Sequence, residues 1–218
     1  MVEPTNGRPR LSRERVLTAA VEVADAGGIG ALTIRSLAQE LGAKPMSVYY
    51  HVAGKEAILD GIVDVVFSEI DLPSPDGDWR IELRRRAASA RQVLRQHRWA
   101  IGLMESRTSP GPATLRHHDA VLATLRAAGF SLEMTAHAYA LIDSYTYGFA
   151  LQEAGLPFDG PDTVAPVAES IMEQFTTGDY PHLAEMTTDF YSKSGYDFGD
   201  EFDFGLNLIL DALSASLT

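Results

Sequence analysis

Residues 31–55 read ALTIRSLAQELGAKPMSVYYHVAGK, and this stretch decides the fold. It holds two short helices joined by a tight turn. Thr33 stands where an N-cap belongs, with a hydroxyl that can accept from backbone N–H groups of the first turn. Leu32 and Leu37 have the spacing of a hydrophobic staple around it. Ile34, Leu37, Ala38 and Leu41 recur at i, i+3, i+4 and i+7, which gives one apolar face. Gly42 suits a left-handed helix end. Pro45 fits the first position of the next helix, where its missing N–H costs nothing.

The second helix, about residues 45–52, can be placed on a wheel of about 100° per residue. Val48 and Val52 point the same way and must face the first helix. The opposite side carries Met46, Ser47 and Tyr50, with Tyr49 and His51 on its flanks. A short helix presented in this way is how a protein enters the DNA major groove. The wheel therefore nominates Met46, Ser47 and Tyr50 for base edges or thymine methyls. It nominates Tyr49 and His51 for phosphates, to which a hydroxyl or ring N–H can donate. Lys55 follows Gly54 at the start of another helix, where its ammonium and adjacent N–H groups make a phosphate clamp. Arg35 is a further base or phosphate candidate.

Residues 10 to about 60 resemble the DNA-binding domain of the TetR family of transcriptional regulators. The resemblance rests on RERVLTAAVEVADAGGIGALT, IRSLAQELGAKPMSVYYHV and GKEAILDGI, and above all on the Leu-Gly turn, the VYYHV run and the Gly-Lys-Glu helix start. It implies DNA contacts at Thr33, Arg35, Lys44, Pro45 and Met46, and at Ser47, Tyr49, His51 and Lys55. The Tyr, His and Lys of the pattern bind phosphates in that family. Positions 44–47 vary between members and set the operator, so the target sequence does not carry over.

The chain is long enough, at 218 residues, for one or two domains and a sizeable core. It has no cysteine, which excludes disulfides and thiolate chemistry. No apolar run has the length of a membrane span, and the N-terminus lacks a signal-peptide core, so a cytoplasmic location is expected. The formal net charge of −12 argues against a general nucleic-acid coat. The charge is uneven, however. Residues 1–55 hold seven Arg and Lys against five Asp and Glu, while residues 154–211 hold one Lys against twelve acids. A mildly basic end on an acidic body suits docking through one small face.

The expected architecture is all-α. Residues 1–10 form a flexible arm carrying Arg8 and Arg10. Residues 11–70 form a three-helix helix-turn-helix domain with its connecting helix, and 79–218 form a helical effector-binding and dimerisation domain. The break DLPSPDGD at 71–78 marks the junction. On 131–154, Ala136, Ala140, Ser144 and Gly148 recur every four residues, a small-residue stripe that lets another helix approach closely. On the last helix, Leu206, Ile209, Leu210, Leu213 and Leu217 form an apolar ridge. Either could pack within one chain or across a dimer. The second half resembles, in outline, the tetracycline-repressor type of C-terminal domain, in which these helices form a four-helix bundle between subunits. A homodimer reading two half-sites is thus expected.

The same body should hold an effector pocket. Trp99, Met104, Met134 and His137 are candidates, with Tyr145, Phe149, Met172 and Phe175. They are large apolar or amphipathic side chains on helices that must pack together, so an apolar or aromatic effector is expected. Tetracycline repressors hold a drug–magnesium complex through a pocket His. The resemblance places Met104 there, and a thioether is a poor ligand for hard Mg²⁺. Arg86 stands where the drug-orienting Asn belongs, and it could hold a carboxylate. No metal site or cofactor is expected, and no enzyme: there is no phosphate loop and no nucleophile elbow. The adjacent His117 and His118 diverge by about 100° on a helix, which makes them poor co-ligands. The alternative function is a small-molecule binding or scaffold protein that does not use its helix-turn-helix on DNA.

Overall fold

The computed structural model describes residues 10–158, 160–173, 178, 180–191 and 196–217. Arg8, Phe175 and Lys193 lie outside the described residues. Ten α-helices occur among those described, and no strand. The chain divides into two compact units, 1–135 and 136–218.

The first unit opens with α1 (Arg13–Gly27), capped by Ser12, whose hydroxyl accepts from the Arg15 N–H at 3.2 Å. After a short 3₁₀ turn come α2 (Ile34–Glu40) and α3 (Pro45–Tyr49). Thr33 caps α2 through a reciprocal pair with Ser36: its hydroxyl accepts from the Ser36 N–H at 3.0 Å, and the Ser36 hydroxyl accepts from the Thr33 N–H at 2.9 Å. Gly42 takes φ +57, the left-handed turn the sequence called for, and lets the chain reverse into Pro45. Val16, Ala20, Leu37 and Val48 are fully buried where α1, α2 and α3 meet.

Helix α4 (Lys55–Glu69) packs on α1 on one side and on α6 (Pro112–Ala127) on the other. Gly61 is what lets α1 come close: a Cβ there would lie 2.5 Å from a methyl of Leu17. Asp64 of α4 accepts from the Thr114 N–H at 2.8 Å and its hydroxyl at 3.0 Å, so it also caps the start of α6. Dense packing therefore runs across the Pro-rich break at 71–78, because α4 serves as a wall for helices on both sides of it. Helix α5 (Trp79–Gln96) starts at Asp78, whose carboxylate accepts from the N–H groups of Arg80 and Ile81.

The second unit takes most of α7 (Leu132–Gly155), then α8 (Pro161–Met172), α9 (Pro181–Met186) running into a π-helical turn at 187–191, and α10 (Asp200–Ala215). Tyr145 of α7 places its hydroxyl 3.0 Å from the carbonyls of both Glu201 and Phe202, which ties α7 to the first turn of α10. Around it Phe149 stacks on Phe198 at 4.7 Å and meets Phe202 edge-on at 5.1 Å. Such pairs add to plain burial. Leu206, Leu210 and Leu213 turn inward and are fully or almost fully buried in the single chain. Of the two placements the ridge allowed, these three leucines take the one within the chain. The apolar groups α10 leaves in water are Phe204 and Leu208, with Leu217 just beyond its end, and Ile209 is half-buried.

Candidate nucleic-acid interface and effector-binding body

The α2–turn–α3 segment sets out the side chains the wheel predicted. Val48 and Val52 are buried, while Met46 is 76% and Tyr50 88% exposed. Ser47 and Lys44 are exposed, as are Pro45, Arg35 and Lys55, and Tyr49 is half in water. His51 is half-buried and meets the Tyr50 ring edge-on at 5.3 Å. The Thr33 hydroxyl is engaged as the cap of α2. Arg10 is exposed ahead of α1, its carbonyl accepting from the Arg15 guanidinium at 3.0 Å. The result is a short helix, Pro45–Tyr49, continued by a turn through Val52, with an apolar underside sealed against α2 and a polar-aromatic outer side. Lys55 follows it at the first position of α4, where free N–H groups add to its charge.

Helix α4 is tied along its length to the segments that follow it. Arg107 donates to Asp60 at 2.6 Å and to Glu56 at 2.7 Å, beside Lys55. Asp64 holds Thr114, as above. At the far end, the His97 ring has Nδ1 2.8 Å from Asp25 of α1 and Nε2 3.0 Å from Glu69 of α4. A neutral imidazole has one N–H and cannot donate to two carboxylates, so this pair of contacts is made by the imidazolium. Burial opposes that charge, but the hydrogen bonds and charges of Asp25 and Glu69 outweigh it and raise the His97 pKa.

The effector candidates from the sequence are scattered. In the first unit Trp99 belongs to the α1 side, its indole N–H donating to Asp25 at 2.6 Å. Met104 is buried and lines a small cavity of about 130 Å³ with Asp60, Val63 and His118. Met134 is half-buried. Arg86 is fully buried, and its Nε donates to His117 Nε2 at 3.0 Å. That bond places the His117 proton on Nδ1, which has no hydrogen-bond partner among the described residues. Burial first, then the charges of Arg86 and His118, pushes the His117 pKa down to about 3, so the ring stays neutral.

In the second unit His137 is exposed and Met172 half-buried, and Tyr145 and Phe149 serve the aromatic packing on α10. A cavity of about 270 Å³ among the described residues of this unit is lined by none of the nominated residues. Its walls are Phe158, Ile171 and Leu183, with Tyr191, Tyr196 and Phe198. The signal that could have found it is the run DFYSKSGYDF at 189–198, with four aromatics in ten residues. Small stripe residues Ala136, Ala140, Ser144 and Gly148 are all exposed on α7. Among the described residues no helix is long and apolar enough to cross a membrane.

The same arrangement recurs in known proteins. An HTH-type transcriptional regulator of Saccharopolyspora erythraea is 33% identical over 211 residues, covering 96% of this chain and 87% of its own length. The HTH-type transcriptional repressor DrrR1 of Streptomyces coeruleorubidus is 34% identical, covering 96% and 80%. Among solved structures, the Streptomyces coelicolor TetR family protein ActR in complex with actinorhodin superposes with a TM-score of 0.77 at 25% identity, covering 95% of this chain and 99% of that one. Residues 16–62 match the family described as bacterial regulatory proteins, tetR family, and residues 72–217 match the tetracyclin repressor-like C-terminal domain. This chain belongs to the TetR family of bacterial transcriptional regulators, with a C-terminal domain of the tetracycline-repressor type.

Proposed function

We propose that the chain is a ligand-responsive repressor that docks on a palindromic operator as a homodimer and leaves it when a small effector binds. Residues 11–70 are its DNA-binding domain with the connecting helix, and 79–218 its effector-binding and dimerisation domain. The observation that carries this reading is the exposed row Met46, Tyr49 and Tyr50 on a helix whose opposite side is sealed by Val48 and Val52. Apolar and aromatic groups held rigidly in water mark a surface meant for a partner. Met46, Ser47 and Tyr50 reach base edges, and Arg35 and Lys44 approach the groove beside them. Tyr49, His51 and Lys55 hold phosphates on either side.

Two copies place two such helices one DNA turn apart, ~34–36 Å. The partner contact uses the exposed stripe Ala136, Ala140, Ser144 and Gly148 of α7, with Phe204, Leu208 and Leu217 on the outer side of α10. Helix α4 carries the signal. It bears Lys55 at one end, and Glu56, Asp60, Asp64 and Glu69 bind it to later segments. ActR has been solved with actinorhodin and with (S)-DNPA, which supports an effector here too. An effector shifts the equilibrium only through unequal affinity for the bound and released states.

Tyr49→Ala and Lys55→Ala, both exposed positions, test the reading. A regulator loses operator affinity in both variants and keeps its circular dichroism and melting temperature. A scaffold protein that uses this helix pair for protein contacts shows no DNA phenotype.

A further inference from the structure

We propose that the 270 Å³ cavity of the second unit is the effector site, and that it takes an organic cation with an apolar body. The inference rests on the effector-responsive reading above and gives that effector a chemical class.

Four aromatic rings line this cavity: Phe158, Tyr191, Tyr196 and Phe198. Tyr191 and Tyr196 pack edge to face at 5.0 Å, so each braces the other in the wall. Aromatic faces are the negative side of the ring quadrupole, and they attract a cation brought within about 6 Å. Aliphatic side chains, Val164, Ala168 and Ile171 of α8 among them, complete the wall and suit an apolar body. The volume lies just below the ~300–1,000 Å³ of pockets for drug-sized molecules, so the ligand is small, of one or two rings.

The unit that holds the cavity is acidic, and its one lysine, Lys193, lies outside the described residues. Residues 136–218 contain one lysine and no arginine against fourteen Asp and Glu. Two of these acids act on the cavity wall itself. Burial, then the charge of Glu201, the Tyr191 ring and the charge of Asp197, pushes the Tyr196 phenol up to about 12. Tyr196 therefore remains a neutral ring. A neutral apolar ligand gains only the walls, an anion meets repulsion, and a cation gains both the walls and the field.

The test uses the full-length protein and three probes of one shape class. Benzyltrimethylammonium is the cation, neopentylbenzene its neutral isostere, and phenylacetate the anion. Binding is followed by ligand NMR at two salt concentrations, and operator release by anisotropy in parallel. The expected result is saturable binding of the cation at one site per chain, about tenfold tighter than the isostere, weaker at high salt, with no binding of phenylacetate. Tyr196→Leu and Glu201→Gln each lower cation affinity several-fold, and Tyr196→Phe retains it. Bound cation lowers operator affinity. Operator binding without ligand serves as the fold control for each variant.

An isostere that binds as tightly as the cation overturns the charge argument. Cation binding unaffected by Tyr196→Leu overturns the location. Cation binding in the cavity that leaves operator affinity unchanged overturns the effector assignment. A chain that binds no operator at all refutes the regulator reading instead, and the cation titration then still decides the site.

Discussion

The His97 bridge makes stability depend on pH in a direction opposite to that of most carboxylate pairs. Its ring is almost wholly buried, with Asp25 of α1 on one nitrogen and Glu69 of α4 on the other, at 2.8 and 3.0 Å. These are the charged groups facing it, and Trp99 packs against the ring edge. A hydrogen bond to a charged group contributes about 1.5–3 kcal/mol when dry. Here 34% of the Asp25 side chain and 40% of Glu69 are in water, so screening cuts the two together to about 1–2 kcal/mol. The folded-state pKa of His97 is raised above its unfolded value of about 6.5. The contribution is therefore complete below pH ~6.5 and is lost as pH rises through the folded-state pKa. His97→Gln removes the charge and keeps a polar side chain of similar reach. In thermal melts the wild type should exceed His97→Gln by about 2–8 °C at pH 6, taking ~2–4 °C per kcal/mol for a chain of this size. The gap should shrink by pH 8.5. A gap of the same size at both pH values would refute the argument that the imidazolium makes the bridge.

Three further outcomes follow from the same geometry. Lys55→Ala should reduce the slope of log affinity against log salt by about 0.9 with operator preference unchanged, whereas Met46→Ala should relax preference at one position per half-site with the slope unchanged; anisotropy on an operator panel reads both. Gly61→Ala puts a Cβ against Leu17 at 2.5 Å and should destabilise the first unit by about 1–3 kcal/mol in urea unfolding, because both helices must shift. Leu208→Asp, at an exposed position of α10, should convert the homodimer to monomers in sedimentation, while Leu206→Ala, fully buried, should cost about 2–5 kcal/mol of stability through a cavity.

The DNA-facing half was legible because its signals are local. Thr33 fixes where α2 begins, Gly42 and Pro45 fix where it ends and α3 begins, and the Val48–Val52 spacing fixes which side turns in. The body was legible as helices but not as surfaces. Helix α10 carries apolar groups on two sides, and nothing local distinguishes Leu206 and Leu210, which turn inward, from Phe204 and Leu208, which stay in water. That choice is made by long-range contacts such as Tyr145 against the start of α10. Arg86 shows the same limit: one of three consecutive arginines, it is buried because His117, thirty-one residues on, supplies an acceptor. The cavity escaped because its aromatic walls, Phe158, Tyr191, Tyr196 and Phe198, come from separated positions without helical period, and because α7, α8 and α9 close around it only in three dimensions.

The central claim is that the α3 surface reads DNA as a pair. Fluorescence anisotropy of the full-length chain on the DNA flanking its own gene, against scrambled DNA and across a salt series, tests it most directly. The account predicts selective binding that saturates at two chains per site and falls with salt. Binding equal on the flanking and the scrambled DNA would contradict it.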